Sequence, residues 1–295
     1  MTPNRLLVLL ALLAGLGTSM IPQSTPSNTS VTAASVNLPR CVAISPGNPQ
    51  FEPLRKVCDF ALSSKLPDFI CDETVQRFSG NSKRSKWKKV DVVTAELTSE
   101  NGSDERYSNV AVNARPPLKI PGGLGAYELG EYLNRFSRGT WAGGLFGGYL
   151  ASIFWPTSRT KFELRGENGG SPTPAPVLFT FQIDRASSPF SLVAGPGTER
   201  ERIRVGAKGS IWIDKATSRL IRLEIQDTEI DTSLPVKAAA SVVDYAETPI
   251  GDLGTFLLPL DSEFLACNDN RCYRNLTNFR NWRKFGSEVH IILER

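Results

Sequence analysis

Apolar and polar residues alternate along most of the chain, which is typical of strands that bury one face. The clearest case has a large apolar residue at every second position: Val177, Phe179, Phe181 and Ile183. Further strands are predicted at residues 69–79, 86–98, 105–113, 208–214, 219–226, 237–247, 254–267, 272–284 and 287–294. Turn residues separate these runs at short intervals, which favours a mostly antiparallel sheet.

The same alternation predicts which side chains face inward. In the strand at 86–98, Asp91, Val93, Ala95 and Leu97 share one face. In the hairpin formed by 208–214 and 219–226, the side chains expected to point inward are Ile221, Leu223 and Ile225, with Arg222 and Glu224 outward.

Two helices interrupt the strands. Asn48 and Pro49 are a capping residue and a first-turn proline, so they predict a helix that ends before Pro67. A second helix is predicted from about Tyr127 to Phe136. The chain is therefore expected to be mostly β, of the α+β type. We predict a single domain at 49–295, with a Gly-rich helical insertion at about 124–158 that closes the open face of the sheet.

The insertion contains an uncharged stretch, residues 139–158, between Arg138 and Arg159. Its glycines recur every fourth residue, as in helices that pack closely. Three interpretations are open: a buried helix or loop that covers the sheet, a mobile apolar flap over a hydrophobic cavity, or insertion into a membrane. If it is a flap, the ligand-contacting residues are Trp141, Leu145, Phe146, Tyr149, Ile153, Phe154 and Trp155. Replacing Gly143 and Gly147 by Ala should then stiffen the flap, provided that the backbone angles permit Ala.

The first twenty residues have the layout of a secretory signal peptide. One arginine precedes an apolar run from Leu6 to Gly17, which is too short to span a bilayer. An uncleaved N-terminal anchor is the alternative. Residues 21–48 are rich in Ser, Thr, Pro and Asn and are expected to be a flexible leader. The protein is thus expected to be exported, periplasmic or secreted, with no transmembrane span after signal removal.

Five cysteines follow the signal segment. Cys267 and Cys272 enclose a four-residue polar loop between strands, so a disulfide is expected to join them. Cys58 and Cys71 flank a helix end and the next strand and are expected to pair in the same way, which leaves Cys41 over. A partnership of Cys41 with Cys58 or Cys71 is the alternative. A zinc site is disfavoured by the spacing and by the lack of a nearby histidine, so no metal is expected.

Charge and composition remove several classes of function. The 295 residues carry 34 Lys and Arg against 30 Asp and Glu, and a net charge of +4 is too small to indicate nucleic-acid binding. His290 is the single histidine and is predicted on a surface strand. The sequence holds no phosphate-binding loop and no catalytic constellation, so neither an activity nor a cofactor is expected. The basic cluster at residues 83–89 is interpreted as a protected sheet edge, with anionic head groups as the alternative partner.

Seven strings then occur in a recognisable order: LPDFICDETVQRF (66–78), VVTAEL (92–97), YSNVAVN (107–113), GSIWIDKATSRLIRLEI (209–225), VVDYAETPIG (242–251), FLLPLDSEFLAC (256–267) and NFRNWRKFGSE (278–288). In this order they resemble a family of exported proteins of Acidobacteria-type bacteria, which has no established activity to transfer. More distantly the chain resembles the periplasmic lipoprotein-sorting carriers (LolA-like). That resemblance implies a curved half-barrel sheet with a helical plug and an apolar cavity.

Two hypotheses about function follow. The first is a non-catalytic carrier that binds a lipid or a lipidated protein inside the curved sheet. The second is a structural or protein-interaction module of the cell envelope with a filled core. An apolar cavity would favour the carrier, and a packed interior the module. An enzyme is retained as a third class.

Overall fold

The computed structural model describes residues 9–10, 41, 44–45, 47–63, 66–81, 84–100, 104–115, 123–134, 141–142, 145–167, 176–194 and 201–286. Several predictions lie outside these residues: most of the signal peptide and leader, the strand at 287–294 with His290, and Gly143.

Three α-helices lie in this part of the chain: α1 (Glu52–Ser63), α2 (Ala126–Asn134) and α3 (Gly148–Phe154). The strands before the glycine-rich insertion are β1 (Leu9–Leu10), β2 (Phe69–Asn81), β3 (Arg84–Glu100) and β4 (Asp104–Val112). The later strands are β5 (Trp141–Ala142), β6 (Lys161–Glu167), β7 (Val177–Ile183), β8 (Ser191–Ala194), β9 (Glu201–Arg204), β10 (Gly206–Ile213), β11 (Leu220–Thr228), β12 (Ala238–Pro249), β13 (Thr255–Cys267) and β14 (Arg271–Lys284).

Ten of the strands form one curved antiparallel sheet that does not close into a barrel. Their order is β4-β3-β2-β14-β13-β12-β11-β10-β7-β6. The last strand in the sequence, β14, lies between β2 and β13, so the two ends of the domain are hydrogen-bonded at the centre of the sheet. The predicted fold class, a mostly β protein with an open antiparallel sheet and an N-terminal helix, is confirmed.

One face of this sheet is buried along its whole width, and we call it the inner face. On β3 it carries Asp91, Val93, Ala95 and Leu97, the four residues that the alternation predicts. On β11 it carries Leu223 and Ile225, as predicted, whereas Ile221 is 39% exposed. The prediction for Ile221 is wrong because the pairing shifts between Trp212 and Ile213, which turns one side chain outward.

Helix α1 covers part of the inner face. Asn48 caps a 3-10 turn at Pro49–Phe51, its side chain accepting a hydrogen bond from the Gln50 amide at 3.0 Å, and α1 follows directly. Leu54, Val57 and Cys58 of α1 are buried, and the ring of Phe51 lies 5.3 Å from that of Phe179 on β7. The predicted cap therefore places the helix across the β7 side of the sheet.

The predicted insertion contains α2, β5 and α3. Helix α2 ends at Asn134, whereas the sequence pattern predicts an end at about Phe136, which lies outside the described residues. Gly147 precedes α3 with φ +97°, a left-handed conformation that an alanine adopts only with strain. The condition for the expected stiffening by Ala, backbone angles that permit it, is therefore not met at position 147, which lies at the turn into the helix.

A second, four-stranded sheet has the order β5-β1-β8-β9. Residues Leu9 and Leu10, from the segment predicted to be a signal peptide, pair in parallel with β5 and antiparallel with β8. Removal of the signal peptide stays a prediction, and it would expose one backbone edge of β8. No helix in the described ranges is both long enough and apolar enough to cross a bilayer.

Two disulfides are present. Cys267–Cys272 joins the facing ends of β13 and β14, with a Cα–Cα distance of 4.0 Å, as the hairpin predicts. The predicted Cys58–Cys71 bond is wrong: Cys58 is bonded to Cys41, and Cys71 is a buried free thiol. The physical reason is that the chain before α1 folds back onto the helix, where Arg55 donates hydrogen bonds to the carbonyl oxygens of Ser45 and Asn48. The end of the predicted flexible leader is thus fixed to the domain.

This bonding pattern predicts one reactive thiol, and only after unfolding. In the native protein Cys71 is inaccessible, so we expect no labelling by an alkylating reagent without denaturant. In denaturant without reductant a single label should appear, and Cys71→Ala should abolish it. Peptide mapping by mass spectrometry checks the pairs, and a peptide that joins Cys58 to Cys71 would contradict this assignment.

Candidate ligand-binding site

Most of the predicted flap residues are buried against the inner face. Leu145, Phe146, Tyr149, Ile153 and Phe154 are each at most 7% exposed. We call residues 145–154, which include α3, the plug. Trp155 is 49% exposed, so about half of its surface faces solvent, unlike the other described flap residues. The side chain of Trp141 lies outside what the structure describes.

Aromatic contacts hold the two ends of the plug against strands that lie far apart in the sheet. Near its start, the ring of Phe146 lies 5.3 Å from Phe69 on β2 and 5.0 Å from Phe279 on β14. At its end, Phe154 stacks on Phe162 of the edge strand β6 at 5.5 Å. The plug therefore spans the inner face from the centre of the sheet to one edge.

A polar contact lies at the middle of the plug. The hydroxyl of Tyr149 is 3.3 Å from Oγ of Ser241 on β12, and both side chains are buried. The ring of Tyr149 also packs against Phe190, with the ring centres 6.2 Å apart. Burial raises the pKa of the Tyr149 hydroxyl, so this group is neutral at physiological pH.

The sheet beneath Tyr149 has unusually small side chains. Ala207 of β10 pairs with Asp227 of β11, and Ala239 of β12 pairs with Ala266 of β13. Asp227 follows Gln226, whose partner is Ala240, and therefore lies beside Ala239. We call Ala207, Asp227, Ala239, Ala266 and Ser241 the small-residue patch. Elsewhere the inner face carries mainly Leu, Ile, Val and Phe, so the side chains of the sheet are shortest at this patch.

Asp227 is the charged residue of this patch. It is 6% exposed, and its Oδ2 atom has no hydrogen-bond partner among the described residues. Burial alone raises the pKa of its carboxyl to about 7. The buried hydroxyl of Tyr245, also on β12, has no partner among these residues either, and burial followed by the proximity of Tyr149 raises its pKa. Asp227 and Tyr245 thus each have a buried polar atom that no described residue hydrogen-bonds.

Other buried polar groups lie nearer the opposite side of the sheet. Arg77 and Asp91 form a bidentate ion pair at 2.7 and 2.6 Å, with both side chains 2% exposed. Glu73 lies on β2 beside Phe279, and its Oε2 atom has no hydrogen-bond partner in the part of the chain that the structure describes. Burial, and secondarily the charge of Glu105, holds its pKa well above the ordinary value. Glu73, Arg77 and Asp91 lie on β2 and β3 and do not border the patch.

Chemistry at the free cysteine is disfavoured by its surroundings. Burial, reinforced by Glu73 and Asp72, raises the pKa of Cys71, which keeps the thiol protonated and weakly nucleophilic. Among the described residues, no group of three or more His, Cys, Asp and Glu side chains lies close enough to hold a metal ion.

Surface depressions lie on the outer face of the sheet. Two open ones, of about 530 and 680 Å³, are lined mainly by outward-facing polar residues of the central strands. The inner face, by contrast, is covered by α1 and the plug. A third depression, of about 360 Å³, lies where Val57 and Phe60 of α1 meet residues of β11 and β13. A ligand in the space that the plug fills would require the plug to move away.

Part of the site escapes sequence reasoning. Asp227, Ser241 and Tyr245 are not predicted as site residues. A signal for Asp227 existed, since it has the same strand parity as Leu223 and Ile225 and should therefore point inward with them. The contact between Tyr149 and Ser241 joins residues 92 positions apart and has no local signal.

Comparison with known proteins finds similarity to a solved structure. No protein-family model matches the chain, and no curated protein matches it. A similar solved structure is the crystal structure of a domain from Vibrio parahaemolyticus that is assigned to outer membrane lipoprotein sorting. The two chains are 9% identical, with a TM-score of 0.35, over 77% of this chain and 90% of that one. The function of the present chain is therefore argued from its own residues, and its resemblance to the Acidobacteria-type family stays a prediction.

The burial of Asp227 predicts a stability that depends on pH. Its pKa of about 7 in the folded state exceeds the ordinary value of 3.8, so unfolding releases a proton between these pH values. The stability that depends on the protonated form of Asp227 is fully present below about pH 4 and is lost as the pH rises through 7. The total loss in the free energy of unfolding is roughly 4 kcal/mol. Asp227→Asn should remove this loss and be more stable than wild type at about pH 8.

Chemical denaturation at a series of pH values measures the effect. Asp252→Asn, in an exposed turn after β12, is the matched control and should alter stability by less than about 0.5 kcal/mol. Parallel pH profiles for wild type and Asp227→Asn would show that Asp227 is not the titrating group.

Proposed function

We propose that this protein is an exported, non-catalytic carrier that holds the apolar chain of a lipid or a lipidated protein on the inner face of its sheet. The observation that supports this most is the nature of the cover. A ten-residue plug lies across the inner face and is held there by ring contacts and by one buried hydroxyl pair, Tyr149 with Ser241.

The contacts of the plug are of the kind that a lipid chain can replace. Phe146 occupies an aromatic pocket formed by Phe69, Phe279 and Trp282. Hydrophobic burial is non-directional, so an acyl chain in that pocket recovers most of the free energy that the ring provides. Exchange of the plug for a ligand therefore costs little in the interior.

The secondary structure of the plug also favours exchange. The backbone hydrogen bonds of a helix are internal to it, so α3 can leave the sheet without breaking its own bonds. A strand removed from the same position would leave unpaired backbone groups on both sides. The left-handed turn at Gly147 provides a place where the chain direction can change.

Two further observations support the proposal. Leu9 and Leu10 come from the apolar segment predicted to be cleaved, and they lie extended between β5 and β8. Removing this segment would leave the backbone edges of β5 and β8 that it pairs with in the exported protein. The two disulfides are typical of proteins from oxidising compartments such as the periplasm.

A second candidate is a cell-envelope interaction module with a filled core. The observation that favours it is the burial of the plug, whose side chains occupy the space that a ligand would need. The two candidates differ in one measurable respect, since only a carrier exchanges its plug for an apolar molecule.

Weakening the plug separates these candidates. Leu150 is buried on α3, and Leu150→Ala should destabilise the covered state by about 2–4 kcal/mol. If a ligand competes with the plug, this variant should bind a neutral fluorescent naphthyl probe more tightly than wild type does. Leu133→Ala, on α2, removes the same side chain from an equally buried position and should leave probe affinity unchanged.

Fluorescence titration and thermal unfolding, measured on all three proteins, give the answer. Saturable probe binding that tightens only in Leu150→Ala supports the carrier. Lower melting temperatures in both variants, with no saturable binding in any protein, would reject the carrier in favour of the module.

A further inference from the structure

We propose that the small-residue patch is a subsite for the ammonium head group of an apolar ligand, with Asp227 as its counter-ion. This inference rests on the carrier function proposed above and specifies the chemistry of its ligand. It predicts that the cargo is an amphiphile with a primary amine at one end.

The side chains around Asp227 are small. Ala207 and Ala239 flank Asp227, and Ala266 lies beside Ala239, so three neighbouring positions carry only a methyl group. The hydroxyl of Tyr149 contacts Ser241, the next inward-facing residue after Ala239 on β12. When the plug withdraws, the volume of this tyrosine side chain becomes available directly beside the carboxyl of Asp227.

The position of the Tyr149 hydroxyl also offers hydrogen-bonding partners to a ligand. Its hydroxyl is the polar end of an otherwise apolar side chain, and it lies 3.3 Å from the hydroxyl of Ser241 in the small-residue patch. Tyr149 therefore occupies the position that the polar head of an amphiphile would take. It satisfies Ser241 but leaves Oδ2 of Asp227 without a partner among the described residues.

The charge of the Asp227 carboxylate favours a cationic head group. Asp227 is buried in apolar surroundings, and a carboxylate there is stabilised most by a cation that also donates hydrogen bonds. An ammonium group supplies the charge and three donors, enough for Asp227 and Ser241 together. A hydroxyl supplies one donor and no charge, and a carboxylate head group would be repelled by Asp227. The expected order of affinity is therefore amine, then alcohol, then carboxylate.

Glu73 provides a matched comparison within the same face. It too is a buried acid, and one of its oxygens has no partner within the described ranges, but it lies on β2 beside Phe279, away from the patch. Glu73→Gln therefore removes a buried carboxyl without touching the proposed subsite, whereas Asp227→Asn removes the counter-ion with almost no change in shape.

The experiment is displacement of the neutral naphthyl probe by dodecylamine, dodecanol and dodecanoate, each below its micelle-forming concentration, at about pH 8. Alkylamines are protonated at this pH. In wild type, dodecylamine should bind at least about tenfold more tightly than dodecanol. Asp227→Asn should lose this preference while keeping its affinity for dodecanol, and Glu73→Gln should retain it. Thermal unfolding of each variant verifies that it is folded.

The outcomes distinguish the two levels of the proposal. Equal affinity for the amine and the alcohol in wild type would overturn the ammonium subsite while leaving the carrier in place, and this comparison needs no variant to fold. An amine preference that survives in Asp227→Asn would also overturn it. If none of the three compounds displaces the probe, or the probe itself does not bind, both the carrier and its subsite are rejected.

Discussion

An open sheet with one apolar face must be covered, and the rest of this structure depends on that constraint. The ten strands expose one continuous inner face, which in water would cost on the order of 25 cal/mol for each Å² of apolar surface. A closed barrel would cover this face with the sheet itself. Here the cover consists of α1 and the plug, and both are positioned by aromatic contacts with strands that lie far apart in the sheet. The two covers differ in attachment: α1 is tied by the Cys41–Cys58 disulfide, whereas the plug has no covalent tie among the described cysteines.

Polar groups on the inner face follow two different rules. Arg77 and Asp91 neutralise each other by bidentate pairing and so complete the core without requiring a ligand. Asp227 has no such partner, and its burial is tolerated only because its raised pKa lets it remain partly protonated at neutral pH. A buried acid without a partner lowers stability, and proteins commonly retain such groups where function requires them. The position of Asp227 close to Tyr149 of the plug is consistent with that principle and ties the proposed function to a single residue.

Strand parity predicted much of the fold but not the site. The alternation places Asp91, Val93, Ala95 and Leu97 on one face, and the structure confirms all four. It fails at Ile221, where a bulge changes the parity within one hairpin. The disulfide within the β13–β14 hairpin follows from local spacing, but the partner of Cys58 does not. That partner depends on a segment folding back onto α1, and nothing in the spacing of cysteines encodes such a return.

The sequence by itself determined the mostly β class, the positions of most strands, the helix that starts at Asn48 and the uncharged segment that becomes the plug. These features are local, since side-chain periodicity and capping act over a few residues. Only the tertiary structure decided the strand order, the insertion of β14 beside β2, the identity of the free cysteine and the meeting of Tyr149 with Ser241 above the small-residue patch. Each of these joins residues that are distant in the chain. Their contacts are selected by how the curved sheet and its cover fit together, and a local pattern carries no information about that fit.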